Sequence, residues 1–271
     1  MTFCIALRVA DGVVALADTQ IVRGSIVSKK FKISNVPVDN GAAVVMTSGL
    51  RSVRDKAVAR LEDGITEGRI KVDRLHELAS ALGDELKQVK AEDGDSLAES
   101  GLSFNVNGIL AGRLEQDPEP QVIHLYPEGN WVSVAPEAPY VIIGRSYYGK
   151  PILDRLLHFD TPLADALSLA YLAFDATRAS VTDVDFPIDV RLMQSDDDLF
   201  RQARFGGEDL AAAHSWWTHQ LATAVRTLPS EWAEVLWHPE SQSDPDPQPA
   251  SNPQPAPEPQ PKTETDETDA P

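Results

Sequence analysis

Cysteine is almost absent from this sequence, which has only Cys4 among its 271 residues. A disulfide within the chain is therefore impossible, and a cysteine-cluster metal site is excluded. A single thiol suits the reducing cytoplasm, where we expect the protein to reside. The chain also lacks a run of about 18 apolar residues, so we expect no transmembrane span. Asp11 and Asp18 interrupt the apolar N-terminal stretch and no basic segment precedes it, so we expect no signal peptide.

Positive charge is scarce as well. The chain has 24 lysines and arginines against 42 aspartates and glutamates, which gives a formal net charge of −18. This balance argues against a nucleic-acid partner and against an anionic membrane surface. Hydrophobic residues make up 42% of the chain, so a sizeable core is possible.

The end of the chain differs in composition from the rest. Ten of the twenty prolines follow position 238, together with glutamine, serine and acidic residues. Such a segment buries too little apolar surface to offset the entropy lost on ordering. We therefore predict a folded domain over residues 1–238 and a disordered acidic tail over residues 239–271.

Apolar runs of strand length alternate with pairs of helical segments. The predicted strands cover residues 3–9, 13–17, 25–33, 42–47, 103–110, 121–126, 131–134, 140–143 and 187–193. The predicted helices lie near residues 53–61, 75–86, 150–158, 162–178 and 210–228, with Thr161 as the N-cap of the fourth. Clustered strands of this kind indicate an α+β fold rather than a dinucleotide-binding fold. Two mostly antiparallel sheets, covered by helices on both outer faces, would fit the order.

Several common catalytic motifs are missing. The segment Gly49-Leu50-Arg51-Ser52 lacks the second glycine and the lysine of a phosphate-binding loop. No HExxH pattern occurs among the six histidines. Residues 144–149 have one residue too many between serine and glycine for a nucleophile elbow, which argues against a serine-triad hydrolase.

The N-terminus offers a different nucleophile. Thr2 lies directly before a predicted strand, and a small second residue permits removal of Met1. The product would carry a hydroxyl and an α-amine on one residue. Because the pKa of an α-amine is about 7.7–8.0, part of it is neutral near pH 7 and can accept the hydroxyl proton. Threonine after the initiator methionine is common, however, so Thr2 alone is a weak signal.

The first hairpin could bring a carboxylate to Thr2. If Ala10, Asp11 and Gly12 form a three-residue loop, Cys4 faces Asp18, and Thr2 shares a sheet face with Asp18 at roughly 7–8 Å. A two-residue loop would place Asp18 opposite Ile5 and separate the faces. A lysine between them, from Lys29, Lys30 or Lys32, would pair with Asp18 and lower the pKa of the amine.

Two sets of segments carry a family resemblance. The segments TFCIALR (2–8), DGVVALADT (11–19) and KKFKI (29–33), with Gly24, resemble the start of a proteasome β subunit. The segments MTSGL (46–50) and IGRSYYGKPILD (143–154) are more similar still to Anbu, the bacterial proteasome-like peptidases. The resemblance covers roughly residues 2–238, and its specificity comes from the combination of segments.

The resemblance implies a proteasome-type N-terminal nucleophile hydrolase with a four-layer αββα sandwich. Such an enzyme needs no metal or organic cofactor, cleaves peptides or unfolded proteins, and works as a homo-oligomeric ring or ring-like assembly. No pattern identifies an unfoldase partner. Apolar residues such as Trp216, Trp217, Trp232 and Trp237 are candidates for the subunit contact, although core burial competes for them.

The resemblance also implies roles for individual residues. Thr2 would be nucleophile and base, Asp18 would orient the lysine, and Gly49 would supply an oxyanion N–H, unless Gly49 serves only a strand-to-helix turn. The lysine is Lys30 or Lys32, and we prefer Lys30 because it is followed by Phe31-Lys32-Ile33.

The supporting residues match the family less well. Ser146 best matches the family serine, although Arg145 beside it replaces a small or acidic residue. Asp175 and Ser180 are the remnants of a late Asp-x-x-Ser pattern that is not intact here.

Two other functions compete with a threonine endopeptidase. The chain could be a catalytically silent assembly or binding subunit of the same fold, which retention of Met1 would favour. It could also be a small-amide hydrolase of the same nucleophile type, which a panel of peptide and acyl-amide substrates would identify.

Overall fold

The computed structural model describes residues 2–23 and 25–237. Met1 and the predicted tail, residues 239–271, lie outside the described residues, so the domain boundary at residue 238 stays a prediction. The described residues divide into two units, one that ends at Thr218 and one that begins at His219.

The first sheet contains the first and the last strand of the described residues. Its strands are β1 (Phe3–Val9), β2 (Gly12–Asp18), β10 (Tyr140–Gly144), β11 (Ile188–Gln194) and β12 (Arg201–Phe205). They lie in the order β10-β1-β2-β11-β12, and all pairings are antiparallel. Every side chain of β1 and β2 is buried, as the unbroken apolar runs indicated for strands covered on both faces.

The second sheet also has five antiparallel strands. They are β5 (Ile33–Val36), β6 (Gly41–Gly49), β7 (Val106–Leu114), β8 (Gln121–Leu125) and β9 (Trp131–Ser133), in sequence order across the sheet. A separate hairpin of β3 (Gln20–Arg23) and β4 (Ile26–Lys29) precedes it. The predicted single strand over residues 25–33 is therefore wrong, because the chain leaves β4 at Lys29 and enters the second sheet only at Ile33.

Helices cover the outer face of each sheet. The helices α1 (Arg51–Thr66) and α2 (Leu75–Glu99) pack on the second sheet through side chains such as Leu61, Leu78 and Leu110. The helices α3 (Lys150–Leu156) and α4 (Leu163–Ser180) pack on the first sheet around Phe3 and Phe174. Burial of each such large apolar side chain contributes about 1.5–3 kcal/mol.

A third core lies between the two sheets. Small and medium side chains such as Cys4, Ala6 and Ala15 of the first sheet meet Val44, Met46 and Ile109 of the second. Helix, sheet, sheet and helix thus form four layers, and the predicted αββα sandwich is confirmed.

The start of α4 differs from the prediction. Pro162 is the N-cap, without a side-chain capping bond. The Thr161 hydroxyl accepts instead from the His158 backbone N–H at 2.9 Å, so Thr161 closes the preceding turn and is not the N-cap.

The last helices carry few buried side chains. Helix α5 (Ala211–Thr227) has none, and a short 3-10 turn (Glu231–Ala233) and α6 (Glu234–Trp237) follow. Trp216, Trp232 and Trp237 are exposed, so none of them is buried in a core formed by the described residues. No helix in the described part of the chain is long and apolar enough to cross a membrane.

Candidate active site

Thr2 lies directly before β1, an interior strand of the first sheet. Its backbone carbonyl accepts a hydrogen bond from the Arg145 N–H at 2.8 Å. Gly144, with φ of +89°, lies so close that a Cβ there would be 1.9 Å from the Thr2 carbonyl oxygen. Only 8% of Thr2 is exposed. The glycine therefore allows β10 to approach Thr2 closely.

A buried ion pair lies beside this end of the chain. The Lys32 Nζ is 2.6 Å from the Asp18 Oδ1, and the two side chains are 4% and 0% exposed. Asp18 also accepts from the backbone N–H groups of Phe3, at 2.8 Å, and Gln20, at 3.0 Å. Burial raises the pKa of the Asp18 carboxyl, and the Lys32 ammonium and the two N–H groups oppose that shift.

The lysine that pairs with Asp18 is Lys32, so the preference for Lys30 is wrong in this respect. Lys30 is exposed, and its backbone N–H bonds to the Thr19 carbonyl at 2.9 Å. The prediction assumed one strand through residues 25–33. The residues between β4 and β5 instead cross from one sheet to the other, and this crossing buries Lys32.

The hairpin register also differs from the expectation. Cys4 pairs with Ala17, and Val9 pairs with Gly12, so the loop consists of Ala10 and Asp11. Neither predicted register, with Asp18 opposite Cys4 or Ile5, is present. Asp18 reaches the N-terminal end because it closes β2 and accepts the N–H of Phe3, the residue after Thr2.

Thr2 opens into a cleft of about 480 Å³, which we call the N-terminal cleft. Its lining includes Thr2, Lys32, Gly49, Arg51, Arg54 and Gly144. The strand β6 ends at Gly49, and α1 begins two residues later. Thr2 directly before β1, Lys32 of the buried pair and the first turn of α1 therefore line one opening.

Gly49 has a structural reason to be glycine. Its φ is +112°, and a Cβ would lie 1.8 Å from the Asn105 carbonyl oxygen. The strand-to-helix turn alone thus explains the residue type. Because Gly49 also lines the N-terminal cleft, its role as an oxyanion donor stays a prediction.

Three other predicted residues lie elsewhere. Ser146 lines a different hollow, together with Tyr140 and Lys150. Asp175 pairs with the His214 Nδ1 at 3.0 Å, and the exposed Ser180 donates to the Ala176 carbonyl. None of the three is among the described residues that line the N-terminal cleft. Their catalytic assignment gains no support from their positions.

No strong sequence pattern indicated the ion pair of Arg145, the residue whose backbone N–H bonds to the Thr2 carbonyl. The Arg145 guanidinium bonds to both oxygens of Asp183, with Nη2 at 2.8 Å from Oδ2. Burial raises the pKa of Asp183, but the Arg145 hydrogen bonds, together with nearby positive charge that includes Arg145, lower it below its ordinary value. Arg145 stood out only as a departure from the family pattern. Asp183 lies in a loop without periodicity, so no residue pattern pointed to it.

The arrangement suits nucleophilic chemistry. In the described residues no group of three or more histidine, cysteine, aspartate or glutamate side chains could hold a metal ion. A threonine hydroxyl, a buried ammonium and a turn with backbone N–H groups are instead the parts of a general-base-assisted acyl transfer.

Comparison with known proteins agrees with this geometry. The family described as "Proteasome subunit" matches residues 2–190. No curated protein sequence matches the chain.

Solved structures of Anbu are similar over most of the chain. Anbu (ancestral beta-subunit) from Yersinia bercovieri is 27% identical, with a TM-score of 0.76 over 84% of this chain and 97% of that one. The helical assembly of the Anbu complex from Pseudomonas aeruginosa is 26% identical, with a TM-score of 0.77 over the same shares. An Anbu (Gly-1) mutant from Hyphomicrobium sp. strain MC1 is 25% identical, with a TM-score of 0.76 over 84% and 99%.

Proposed function

The chain belongs to the proteasome subunit family, and from that premise we propose that it is a threonine-type amide hydrolase whose nucleophile is Thr2. Its N-terminal residue would be Thr2 after removal of Met1. Its substrates would be peptides or unfolded proteins, hydrolysed in the cytoplasm.

One observation carries the proposal: the buried Lys32–Asp18 pair adjoins the same cleft as Thr2. Lys32 and Thr2 both line the N-terminal cleft, and Asp18 holds Lys32 through a 2.6 Å contact. Removing two charges from water is costly, so a buried pair of this kind gives little stability by itself. A catalytic role beside the nucleophile would explain why the Lys32–Asp18 pair is buried here, whereas stability does not explain it.

In the proposed reaction, the neutral α-amine of Thr2 takes the proton from the Thr2 hydroxyl while the oxygen attacks the substrate carbonyl carbon. Lys32 keeps the amine neutral, because a nearby positive charge lowers the amine pKa. The backbone N–H of Gly49 stabilises the oxyanion. The amine then transfers the proton to the leaving nitrogen as the C–N bond breaks, which leaves an ester on Thr2.

Water completes the cycle. The amine takes a proton from a water molecule while the water oxygen attacks the ester carbonyl. The amine then returns that proton to the Thr2 oxygen as the ester bond breaks. The products are a carboxylic acid and an amine, and the enzyme is regenerated without a cofactor.

We further propose that the protein works as a homo-oligomer. One similar structure is described as a helical assembly of the Anbu complex. Large apolar side chains are exposed here, including Leu221 and Val225 of α5. Light scattering that shows a monomer at micromolar concentration would contradict an assembly.

Covalent labelling tests the nucleophile. Purified protein should begin at Thr2 by intact mass, and a β-lactone should add to residue 2. Thr2→Ala should abolish labelling and lower peptide hydrolysis by about 10⁴-fold or more, because the nucleophile and its base act as one unit. Thr2→Ser should keep part of both activities, since it retains the oxygen.

Thr66→Ala is a matched control, because this exposed threonine lies in the last turn of α1, where its hydroxyl donates to the Glu62 carbonyl. It should label and hydrolyse like the wild type. Full activity in Thr2→Ala would end the proposal. An unlabelled Thr2 in folded protein that has lost Met1 would instead favour a catalytically silent assembly subunit.

A further inference from the structure

The N-terminal cleft is positively charged within a strongly acidic chain. Among the described residues that line it are Lys32, Arg51 and Arg54, but no aspartate or glutamate. The whole chain, in contrast, has a formal net charge of −18. A cleft whose charge opposes that of the surrounding protein concentrates ligands of the opposite sign.

The two arginines share a single carboxylate. The Arg51 Nε lies 2.9 Å from the Asp55 Oδ2, and the Arg54 Nε lies 2.7 Å from the Asp55 Oδ1. Burial raises the pKa of Asp55, but the hydrogen bonds from Arg54 and Arg51 outweigh it and the pKa is lowered, so this carboxylate is ionised at neutral pH. One aspartate therefore balances two guanidinium groups.

The same bonds leave donor capacity unused. A guanidinium has five N–H donors. Within the described residues, the side-chain bonds of Arg51 use only Nε, and those of Arg54 use Nε and Nη2. Residues three apart on a helix lie on the same face, so both arginines present their remaining donors from one side of α1.

Lys32 does not supply the excess charge, because Asp18 already pairs with it. The uncompensated positive charge of the cleft therefore belongs to the pair of arginines. A carboxylate is the group that a guanidinium binds best, through two parallel N–H···O bonds.

An adjoining hollow limits where an acidic group fits. This hollow, of about 260 Å³, shares Lys32 and Arg54 with the cleft, but it is also lined by Asp55 and Glu62. Arg51 lines only the N-terminal cleft. An acidic group is therefore favoured on the Arg51 side, which is within the cleft that contains Thr2.

We propose that the N-terminal cleft selects peptides with an acidic side chain beside the bond that Thr2 cleaves, and that Arg51 and Arg54 receive its carboxylate. This specificity rests on the proposed function of Thr2. The arginines contribute recognition, whereas Thr2 and Lys32 contribute the chemistry.

Matched covalent probes test the specificity without a known substrate. Three tripeptide epoxyketones that end in Glu, Leu or Lys would be compared by the rate at which each adds to Thr2, measured by intact mass. The Glu probe should label at least about tenfold faster than the Leu probe, as expected for charge-assisted hydrogen bonds. The Lys probe should label most slowly.

The variants separate recognition from chemistry. Combined Arg51→Gln and Arg54→Gln substitutions should bring the Glu-to-Leu labelling ratio to about one, because the Glu carboxylate then has no guanidinium partner. Arg60→Gln should keep the full ratio, because Arg60 lies on the same helix but pairs with Glu92 and does not line the cleft. If the double variant fails to fold, each single substitution should lower the ratio. In the wild type, 0.5 M salt should lower it too.

The outcomes distinguish this inference from the proposed function. Equal or faster labelling by the Leu or Lys probe would overturn the acidic preference while confirming Thr2 as a nucleophile. Failure of all three probes and of an uncharged β-lactone would remove the nucleophile, and the specificity with it.

Discussion

Asp18 and Asp175 are both buried aspartates that bond to another side chain, but their partners differ in kind. Asp18 is fully buried and accepts bonds from two backbone N–H groups and from Lys32, which is itself 4% exposed. Asp175 is 5% exposed and bonds to the side chain of His214, which is 42% exposed, with Arg178 at 3.6 Å.

The two aspartates are therefore fixed by different parts of the structure. The backbone bond from Phe3 fixes Asp18 relative to Thr2, the adjacent residue, so the carboxylate and its lysine keep a defined position at the chain end. Asp175 connects the middle of α4 to the first turns of α5. Burial of a carboxylate therefore does not identify a catalytic group. The position of the groups that bond to the carboxylate says more about its role than its burial does.

The strongest test of the comparison is at the lysine. Lys32→Ala should lower hydrolysis or β-lactone labelling by about 10²–10⁴-fold, because the amine of Thr2 would lose the charge that keeps it neutral. Lys30→Ala, an exposed change two residues away, should alter activity by about twofold or less. Initial rates at pH 7.5 measure both.

Lys32→Ala leaves Asp18 without its ion pair, which can cost about 3–5 kcal/mol and unfold the protein. The double variant with Lys32→Met and Asp18→Asn removes both charges and should fold yet remain inactive. An active double variant, or a Lys30→Ala variant as inactive as Lys32→Ala, would show that the buried pair does not serve Thr2.

A second test compares the two aspartates directly. Asp175→Asn should lower the free energy of unfolding by about 1–3 kcal/mol, since it weakens a charge-assisted bond, and should leave the rate per folded molecule unchanged. Asp18→Asn should lower the rate as well. Urea denaturation and active-site titration measure the two effects. If Asp175→Asn lost activity without losing stability, Asp175 would belong to the catalytic machinery after all.

The regular parts of the fold followed from sequence patterns. The apolar runs located β1, β2 and β10 to within a residue or two, and helical spacing located α1 and α4. The strand β12 was missed because its sequence, RQARF, is polar and its side chains are mostly exposed. Periodicity reports which face is buried, so a strand at a solvated sheet edge gives little signal.

Site residues on regular elements were easier to predict than those on connections. Thr2 lies directly before β1 and Asp18 ends β2, and Asp18 accepts the N–H of Phe3, although the hairpin register differs by one residue from the prediction. Lys32 lies where the chain crosses between sheets, and Asp183 lies in a loop after α4. The side-chain direction at such positions depends on long-range packing, which a local pattern does not contain. The preference for Lys30 failed for this reason.

The smallest expected effect concerns Cys4, which we group with Asp18 because the Asp18 charge contributes to the pKa of its thiol. The thiol is fully buried, and burial, with a smaller contribution from Asp18, raises its pKa to about 12 despite the opposing effect of Lys32. At pH 8 only about one molecule in 10⁴ would carry the reactive thiolate. Iodoacetamide should therefore leave native protein unmodified and alkylate Cys4 fully in urea.

Under native conditions, diethyl pyrocarbonate should modify His214, the partner of Asp175, because that ring is partly exposed. Peptide mass spectrometry measures both products. Rapid alkylation of native Cys4 would mean that water reaches the interior beside Asp18, and the Lys32–Asp18 pair would then be a solvated ion pair with little influence on the amine of Thr2.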